Sequence, residues 1–216
     1  MLGDVDGLTV FDVGAHSGVT SRSYRNLFPT AAIHAFEPTP AAIEPLRKMF
    51  AGDDAVQIHA LALSDRQGGV DLNLNASGAT NSLLPSDPDA PADWRPLVET
   101  ERIVKVATQS IDAFCNSHSI SRVDVLKIDV QGAESAVLRG AHDMLGRRAI
   151  GSVYLEIIVA PTYLGQSRPD ELFALLERGG LQLIDFYDIW KRGPLLLQFD
   201  ALFALPELVK RIADPI

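Results

Sequence analysis

The sequence predicts an α/β fold built on a mostly parallel sheet. The β-forming residues 8–11 lead into Asp12, and the turn that follows contains Gly14 and Gly18 before a helical stretch. Strand-like and helix-like segments then alternate along the chain, as expected of right-handed βαβ units. Acidic side chains end four of the predicted strands, which is where open α/β sheets bind ligands. Together these observations indicate a nucleotide-binding type of sheet.

The turn after the first strand carries the first candidate site residues. Gly14 allows a sharp turn with unrestricted φ, and Gly18 allows the helix start to lie close to the strand and a ligand. A carboxylate gains nothing from packing inside a strand, so Asp12 is expected to face a cationic or hydrogen-bond-donating ligand. The alternative is an ordinary strand–turn–helix in which Asp12 caps local amides. His16 and Ser17 lie between the glycines, where His16 is expected to contact a ligand through its backbone.

The remaining elements follow from hydrophobic periodicity and from the positions of proline and glycine. Strands are predicted at 31–36, 56–63, 123–129, 152–157, 181–187 and 195–203, and helices at 17–28, 40–50, 110–117, 133–145 and 169–178. The last two strands are expected to pair across the turn at Gly193 and Pro194.

Residues 66–108 break this alternation. Residues 70–74 have a period-two pattern typical of an edge strand, and residues 103–106 are its expected partner. The segment 76–100 between them contains four prolines and is too long for an ordinary connection. We therefore predict a small β-hairpin insertion whose segment 76–100 is a lid or contacts a substrate. A merely solvated loop is the alternative.

Composition limits the classes of partner. A net charge of −9 without a basic run argues against a nucleic-acid partner. Cys115 is the only cysteine, which excludes a disulfide framework and a cysteine-based zinc site. The sequence shows no secretory leader pattern, and its longest apolar run, 194–206, is too short to span a bilayer. These features predict a cytoplasmic protein with no membrane partner, and 1–216 is predicted to be one domain.

The side chains expected at the carboxyl edge of the sheet suggest the ligand. They are Asp12, Glu37, Ser64, Asp129 and Glu156. Burying several acids together is costly unless cations or donors meet them. Glu37 lies 19 residues after Gly18, a spacing at which an acid accepts from ribose hydroxyls. The glycines do not form G-x-G-x-x-G, and Asp12 would repel a pyrophosphate. The turn therefore favours S-adenosylmethionine, which carries an ammonium group, over NAD.

Lys127 lies two residues before Asp129, so their side chains share one face of a predicted strand. A lysine inside a buried parallel strand needs a partner, which Asp129 or Asp12 would supply. An ion pair without a chemical role and a functional lysine are both consistent with this pattern. Glu134 falls in the first turn of the next helix, where the helix dipole favours an acid, and we predict a structural role for it.

Five motifs together resemble those of the FkbM-type methyltransferases. They are VFDVGAHSG at 10–18, FEP at 36–38, ALSD at 62–65, SID at 110–112 and LKIDVQGAE at 126–134. The resemblance covers about residues 8–187. It implies a Rossmann-like class I methyltransferase fold, with a seven-stranded sheet, a reversed last strand and helices on both faces. It also implies S-adenosylmethionine as methyl donor and S-adenosylhomocysteine as product.

The resemblance further implies which residues meet the cofactor. It places Asp12 and Gly14 near the methionine moiety, Glu37 near the ribose and Ser64 near the adenine. The predicted cofactor-binding set is completed by His16, Ser17, Gly18, Pro38, Ala62 and Asp129. His16 stands where many class I enzymes have a glycine. The implied acceptor is a small molecule with a hydroxyl group, such as a sugar or a polyketide-type natural product.

An aliphatic hydroxyl must lose its proton as it attacks the methyl group. Asp129 is the first candidate for the base and Glu156 the second, and Lys127 completes the predicted catalytic set. A divalent metal held by Asp129 and Glu156 is an alternative that no ligand-spacing motif supports.

Two other classes of function compete with methyl transfer. An NAD(P)-dependent oxidoreductase would use the same kind of sheet, but the glycine fingerprint and a Tyr–Lys or His catalytic pair are missing. A non-catalytic nucleoside-binding module would have no need for Asp129 and Glu156. The sequence does not specify an oligomeric state.

Overall fold

A computed structural model describes residues 7–213, and the ends of the predicted 1–216 domain lie outside these residues. Within them the strands are β1 (Thr9–Val13), β2 (Ala32–Phe36), β3 (Val56–His59), β4 (Ala62–Leu63), β5 (Gly68–Asn75), β6 (Thr100–Gln109), β7 (Val123–Ile128), β8 (Ile150–Ile158), β9 (Gln182–Arg192) and β10 (Leu195–Ala204). The helices are α1 (Val19–Leu27), α2 (Pro40–Met49), α3 (Arg95–Val98), α4 (Ile111–Ser117), α5 (Glu134–Arg139), α6 (His142–Gly146), α7 (Pro169–Arg178) and α8 (Pro206–Ala213).

The main sheet has seven strands in the order β3-β2-β1-β7-β8-β10-β9. The first five run parallel, whereas β10 runs antiparallel to both of its neighbours, β8 and β9. The predicted seven-stranded, mostly parallel sheet with a reversed last strand is confirmed. Because five neighbouring strands point the same way, their carboxyl ends meet at one edge, which is where ligands bind in such sheets.

Helices cover both faces of the main sheet, as predicted. On one face Leu46 of α2 packs with Val10 and Ile33 of the strands beneath it. On the other face α4 to α7 bury residues such as Phe114 and Leu172 against the sheet. Burying side chains of this size stabilises the fold by roughly 1.5–3 kcal/mol each. Within residues 7–213 we find no helix with the length and apolar character needed to cross a membrane.

The strand predicted at 56–63 is two strands. Strand β3 ends at His59, where the Leu61 amide donates to the His59 carbonyl at 2.8 Å and turns the chain out of the main sheet. The next strand, β4, pairs instead with β6 in a three-stranded sheet of order β4-β6-β5. Because residues 56–63 form one continuous apolar pattern, the change from one sheet to the other could not be predicted from it.

The insertion contains the predicted hairpin. Strands β5 and β6 pair antiparallel, with Leu72 opposite Val104. The segment 76–100 is not a solvated loop, because α3 and a 3-10 turn at Gly78–Thr80 give it regular structure. Its amides and carbonyls also bond to the loop after β8, as in the 2.8 Å bond from Leu164 N to Pro85 O. The segment packs against the body of the protein.

The helix predicted over 133–145 is divided into α5 and α6. The break lies at Gly140, where an added Cβ would be 2.3 Å from the Ser64 carbonyl oxygen. The carboxylate of Asp112 then accepts hydrogen bonds from the amides of Asp143 and Met144, both at 2.9 Å. Because a side chain satisfies these amides, the second helix starts independently of the first.

Candidate active site

Two adjoining cavities open at the carboxyl edge of the main sheet. The first cavity lies over the ends of β1, β2 and β7, and its lining includes Gly14, Glu37, Pro38 and Asp129. The second cavity lies over the end of β8, and its lining includes Trp94, Leu97, Glu156, Tyr163, Trp190 and Gln198. Ala79 and Gln131 line both cavities, so a molecule in one borders the other.

Gly14 brings the first turn against the end of β7. Its φ is +78°, and a Cβ added there would lie 1.9 Å from the carbonyl oxygen of Asp129. The amides of Gly14 and Ala15 both donate to the Phe36 carbonyl at 3.0 Å, which fixes the turn over β2. Only glycine allows both this backbone conformation and this close approach.

Glu37 is held at the end of β2 by backbone amides. One carboxylate oxygen accepts from the His16 amide at 2.7 Å and the other from the Thr39 amide at 2.6 Å. The side chain lines the first cavity. Each oxygen has a second lone pair, so the carboxylate can accept further hydrogen bonds from a ligand.

The other residues of the glycine turn take different places. His16 has a φ of +44° and lines the first cavity, whereas Ser17 lines a shallow groove beside it, which His16 also borders. A Cβ on Gly18 would lie 2.5 Å from a methyl carbon of Leu46. Gly18 therefore lets α1 approach α2, and it lies away from the cavity where it was expected to meet a ligand.

Asp12 is buried beneath the turn and pairs with Lys127. Its carboxylate accepts from the Ser21 hydroxyl at 2.6 Å and lies 3.2 Å from the Lys127 ammonium. The ammonium also donates to the Gly14 carbonyl at 2.9 Å. This corrects the expectation that Asp12 faces a ligand, because the cation it meets is a side chain of the same sheet.

The surroundings of Lys127 favour its protonated form. Burial lowers the pKa of its ammonium, but the carboxylates of Asp12 and Asp129 more than offset that effect and raise the pKa overall. The Asp129 carboxylate lies 3.7 Å away. A lysine that stays protonated cannot remove a proton, so its contacts suit a positioning role for the turn and for Asp129.

Apolar side chains line another part of the first cavity. They are Leu61, Ala62, Leu63 and Leu72. Ala62 is also one of the predicted cofactor-binding residues. Ser64 is buried and does not line this cavity, and its hydroxyl lies 3.3 Å from a carboxylate oxygen of Asp65. Because the chain leaves the main sheet after His59, Ser64 follows β4, and its predicted place in the cavity is corrected.

One amide joins the two candidate bases. Nε2 of Gln131 donates to Asp129 at 3.0 Å and to Glu156 at 2.7 Å. The hydroxyl of Tyr163 lies 2.9 Å from Oε1 of the same amide, which orients it. Asp129 lines the first cavity and Glu156 the second. The carboxylates are therefore neighbours that face different spaces.

Their surroundings differ in polarity. Burial raises the pKa of Glu156 well above its usual range, and the nearby carboxylates of Asp129, Glu134 and Asp200 add to the rise. Burial likewise raises the pKa of Glu134 to about 7, although backbone amides at the start of α5 oppose the shift. Asp129 is half exposed. Within the described residues no three His, Cys, Asp or Glu side chains are grouped to hold a metal ion.

The Methyltransferase FkbM domain family matches residues 12–183. This range takes in the glycine turn, Glu37, both candidate bases and the insertion. The chain belongs to the FkbM methyltransferase family. The resemblance seen in the five motifs is thereby confirmed.

Curated relatives support the same assignment. The chain is 27% identical over 165 residues to 2-O-methyltransferase NoeI of Sinorhizobium fredii, covering 73% of this chain and 66% of that protein. It is 30% identical over 156 residues to Methyltransferase sdnD of Sordaria araneosa, covering 62% of this chain and 60% of that protein. The chain thus spans less than two thirds of the length of these relatives.

Solved structures support the fold. Magnesium protoporphyrin IX methyltransferase (ChlM) of Synechocystis, solved with bound S-adenosylmethionine, superimposes with a TM-score of 0.52. The match covers 94% of this chain and 72% of that one at 9% sequence identity. At this identity the likeness establishes the class I methyltransferase fold, as the sequence predicted.

Several residues of this FkbM site were missed by reasoning from sequence. Gln131 was noted only as a member of the motif at 126–134, yet its φ of +55° and its amide place it between the two carboxylates. The Ser82 hydroxyl donates to the backbone carbonyl of Gln131 at 2.7 Å. The Tyr163 hydroxyl donates either to the side-chain oxygen of Gln131 or to the Thr80 carbonyl. The prediction that 76–100 contacts a substrate was the available signal for Thr80 and Ser82.

Proposed function

We propose that this FkbM domain transfers a methyl group from S-adenosylmethionine to a hydroxyl oxygen of a small molecule, such as a sugar or a natural product. The observation that carries the proposal is the pair of adjoining cavities, with Asp129 in the lining of the first and Glu156 in the lining of the second. A cofactor in the first cavity would border an acceptor in the second at Gln131 and Ala79. Such adjacency is what a direct transfer between two bound molecules requires.

The polar and apolar groups of the first cavity fit S-adenosylmethionine. The Glu37 carboxylate suits the two ribose hydroxyls, and the wall formed by Leu61, Ala62, Leu63 and Leu72 suits the adenine ring. The half-exposed carboxylate of Asp129 suits the ammonium of the methionine moiety. The turn at Gly14 and His16 closes the remaining side. These assignments support the proposed cofactor through its chemistry.

The chemistry asks for placement and for a base. S-adenosylmethionine supplies an electrophilic methyl group on a sulfonium, which is an excellent leaving group. The chain must hold the acceptor hydroxyl in line and accept its proton. Asp129 and Glu156 are the carboxylates available at the border of the two cavities. The Lys127 ammonium helps to position this part of the site, because it donates to the Gly14 carbonyl and lies beside the Asp129 carboxylate.

Thermal unfolding in the presence of saturating ligands tests this function. S-adenosylmethionine and S-adenosylhomocysteine should each raise the midpoint, and NAD should not. A ligand at a hundredfold excess over its dissociation constant stabilises the native state by about 2.7 kcal/mol. A midpoint that rises with NAD alone, or with none of the three, would overturn the proposal.

A variant pair links the midpoint shift to the first cavity. Glu37→Gln removes the carboxylate proposed to bind ribose and should reduce the shift caused by S-adenosylhomocysteine. Glu44→Gln makes the same chemical change on the exposed side of α2, where the side chain is 65% exposed, and should keep the full shift. Equal shifts in both variants would place the cofactor elsewhere.

A further inference from the structure

Apolar walls of the second cavity come from three separate parts of the chain. Trp94 and Leu97 come from the insertion, Tyr163 from the loop after β8, and Trp190 from β9. An ion pair between Asp93 and Arg192 joins the insertion to β9 beside this cavity. The insertion and the end of the main sheet therefore form one binding space.

Both tryptophans of the chain line this space. Trp190 is 58% exposed, although an indole ring gains much from burial. Trp94 packs in part on the small cluster formed by Ala90, Val98 and Tyr163. Two large aromatic side chains at one opening provide flat apolar surfaces for a ligand that presents an apolar face.

The polar part of the cavity is a carboxylate in a fixed position. Glu156 accepts one hydrogen bond from Gln131 at 2.7 Å and one from Gln198 at 3.0 Å. A carboxylate has about four lone-pair sites, so these two bonds orient it and leave sites for a further donor. A hydroxyl bound in the second cavity can supply that donor.

We propose that the second cavity binds the acceptor as a hydroxylated ring, with an apolar ring face against the tryptophans and the reacting hydroxyl donating to Glu156. The inference rests on the proposed methyl transfer and adds the class of acceptor and the identity of the base. A cyclic polyol presents C–H groups on its faces and hydroxyls around its edge, which matches aromatic walls with a carboxylate at one point. An open-chain polyol lacks a flat apolar face.

The assignment also distinguishes the two carboxylates. Glu156 faces the acceptor cavity, and Asp129 faces the cofactor cavity. During transfer the acceptor oxygen bonds to the methyl carbon as the carbon–sulfur bond breaks, and that electron pair stays on sulfur. The hydroxyl proton moves to the Glu156 carboxylate, from which water later takes it.

Tryptophan fluorescence tests the acceptor class, because both reporters lie in the cavity. With S-adenosylhomocysteine bound, a panel of methyl hexosides should quench the fluorescence saturably, and sorbitol should not. Trp190→Ala should weaken hexoside binding about tenfold. Ile189→Ala, a substitution at the neighbouring exposed position of β9, should change it less than twofold. Equal quenching by sorbitol, no quenching by any hexoside, or equal losses in both variants would overturn the proposal.

Transfer of a labelled methyl group tests the base. A hexoside that quenches should be methylated by the wild type and not by Glu156→Gln, which should still bind both the hexoside and S-adenosylhomocysteine. A Glu156→Gln variant that transfers methyl at the wild-type rate would refute the role of Glu156. A wild-type protein that does not bind S-adenosylhomocysteine would instead refute the proposed function, so the two failures can be distinguished.

Discussion

The two cavities are built in different ways. The first joins the ends of parallel strands and the turns that follow them to part of the small sheet and to residues 78–83 of the insertion. Polar groups on the strand side are held by backbone amides or by a buried ion pair. The second is assembled from the insertion, a loop and the last two strands, and Trp190 at its opening is largely exposed. We therefore expect a rigid frame for the proposed cofactor and a more adaptable wall for the proposed acceptor.

The largest effect is expected at the Gly14 turn. Gly14→Ala places a Cβ 1.9 Å from the Asp129 carbonyl and requires an unfavourable φ. We expect the free energy of unfolding to fall by at least about 4 kcal/mol, with loss of S-adenosylhomocysteine binding. Urea unfolding and calorimetry measure the two effects.

Gly52 supplies the matched control. Its φ is +82°, but an added Cβ would meet nothing within 4 Å. Gly52→Ala should therefore cost only the backbone penalty, about 1 kcal/mol, and should leave cofactor binding intact. Equal losses of stability in the two variants would mean that the close approach to β7 is unimportant.

The next effect is expected at the buried ion pair. Lys127→Met leaves the Asp12 carboxylate buried without its cation, which should reduce the free energy of unfolding by about 3 kcal/mol. Adding Asp12→Asn should restore part of that loss, because the buried charge is then removed as well. A double variant that loses the sum of the single-variant losses would show that the pair is not coupled.

A smaller effect depends on pH. Burial lowers the pKa values of His34 and His59 to about 4, and His118 adds to both shifts. In the unfolded chain these histidines bind protons near pH 6.5, whereas in the folded protein they do so only near pH 4. The contribution of the neutral histidines to stability is therefore present above pH 6.5 and is lost as the pH falls towards 4. The His34–His59 contact is 3.1 Å, so the two residues titrate together.

The raised pKa of Glu134 has the opposite effect on the pH dependence of stability. The test therefore compares the pH profiles of variants. Replacing His59 by glutamine should flatten the loss of unfolding free energy between pH 7 and pH 4.5 by roughly 2 kcal/mol. His142→Gln, which changes an exposed histidine on α6, supplies the control. Identical profiles for the two variants would contradict the assignment.

The smallest effect is expected at the wall of the second cavity. Asp93 and Arg192 are 61% and 45% exposed, and exposed ion pairs contribute little. Asp93→Asn should change the free energy of unfolding by less than about 1 kcal/mol and leave S-adenosylhomocysteine affinity unchanged. A loss as large as that of Lys127→Met, measured in the same urea titration, would show that the wall is as rigid as the frame.

The contrast between local patterns and tertiary contacts also explains which residues could be placed from the sequence. Gly14 and Glu37 belong to local patterns, strand followed by turn, so their positions at the carboxyl edge could be predicted. Ser64 and the helix at 133–145 were misplaced because a change of sheet and a side-chain cap depend on tertiary contacts with residues such as Asp112. Gln198 could not be associated with Glu156 from sequence, because their contact depends on the register between β8 and β10.

The most direct test of the account compares S-adenosylhomocysteine affinity and methyl transfer in Asp129→Asn and Glu156→Gln. The account predicts that Asp129→Asn weakens S-adenosylhomocysteine binding, whereas Glu156→Gln keeps the affinity and loses the transfer. Weakened binding in Glu156→Gln together with unchanged binding in Asp129→Asn would contradict the division of the two carboxylates between the cavities.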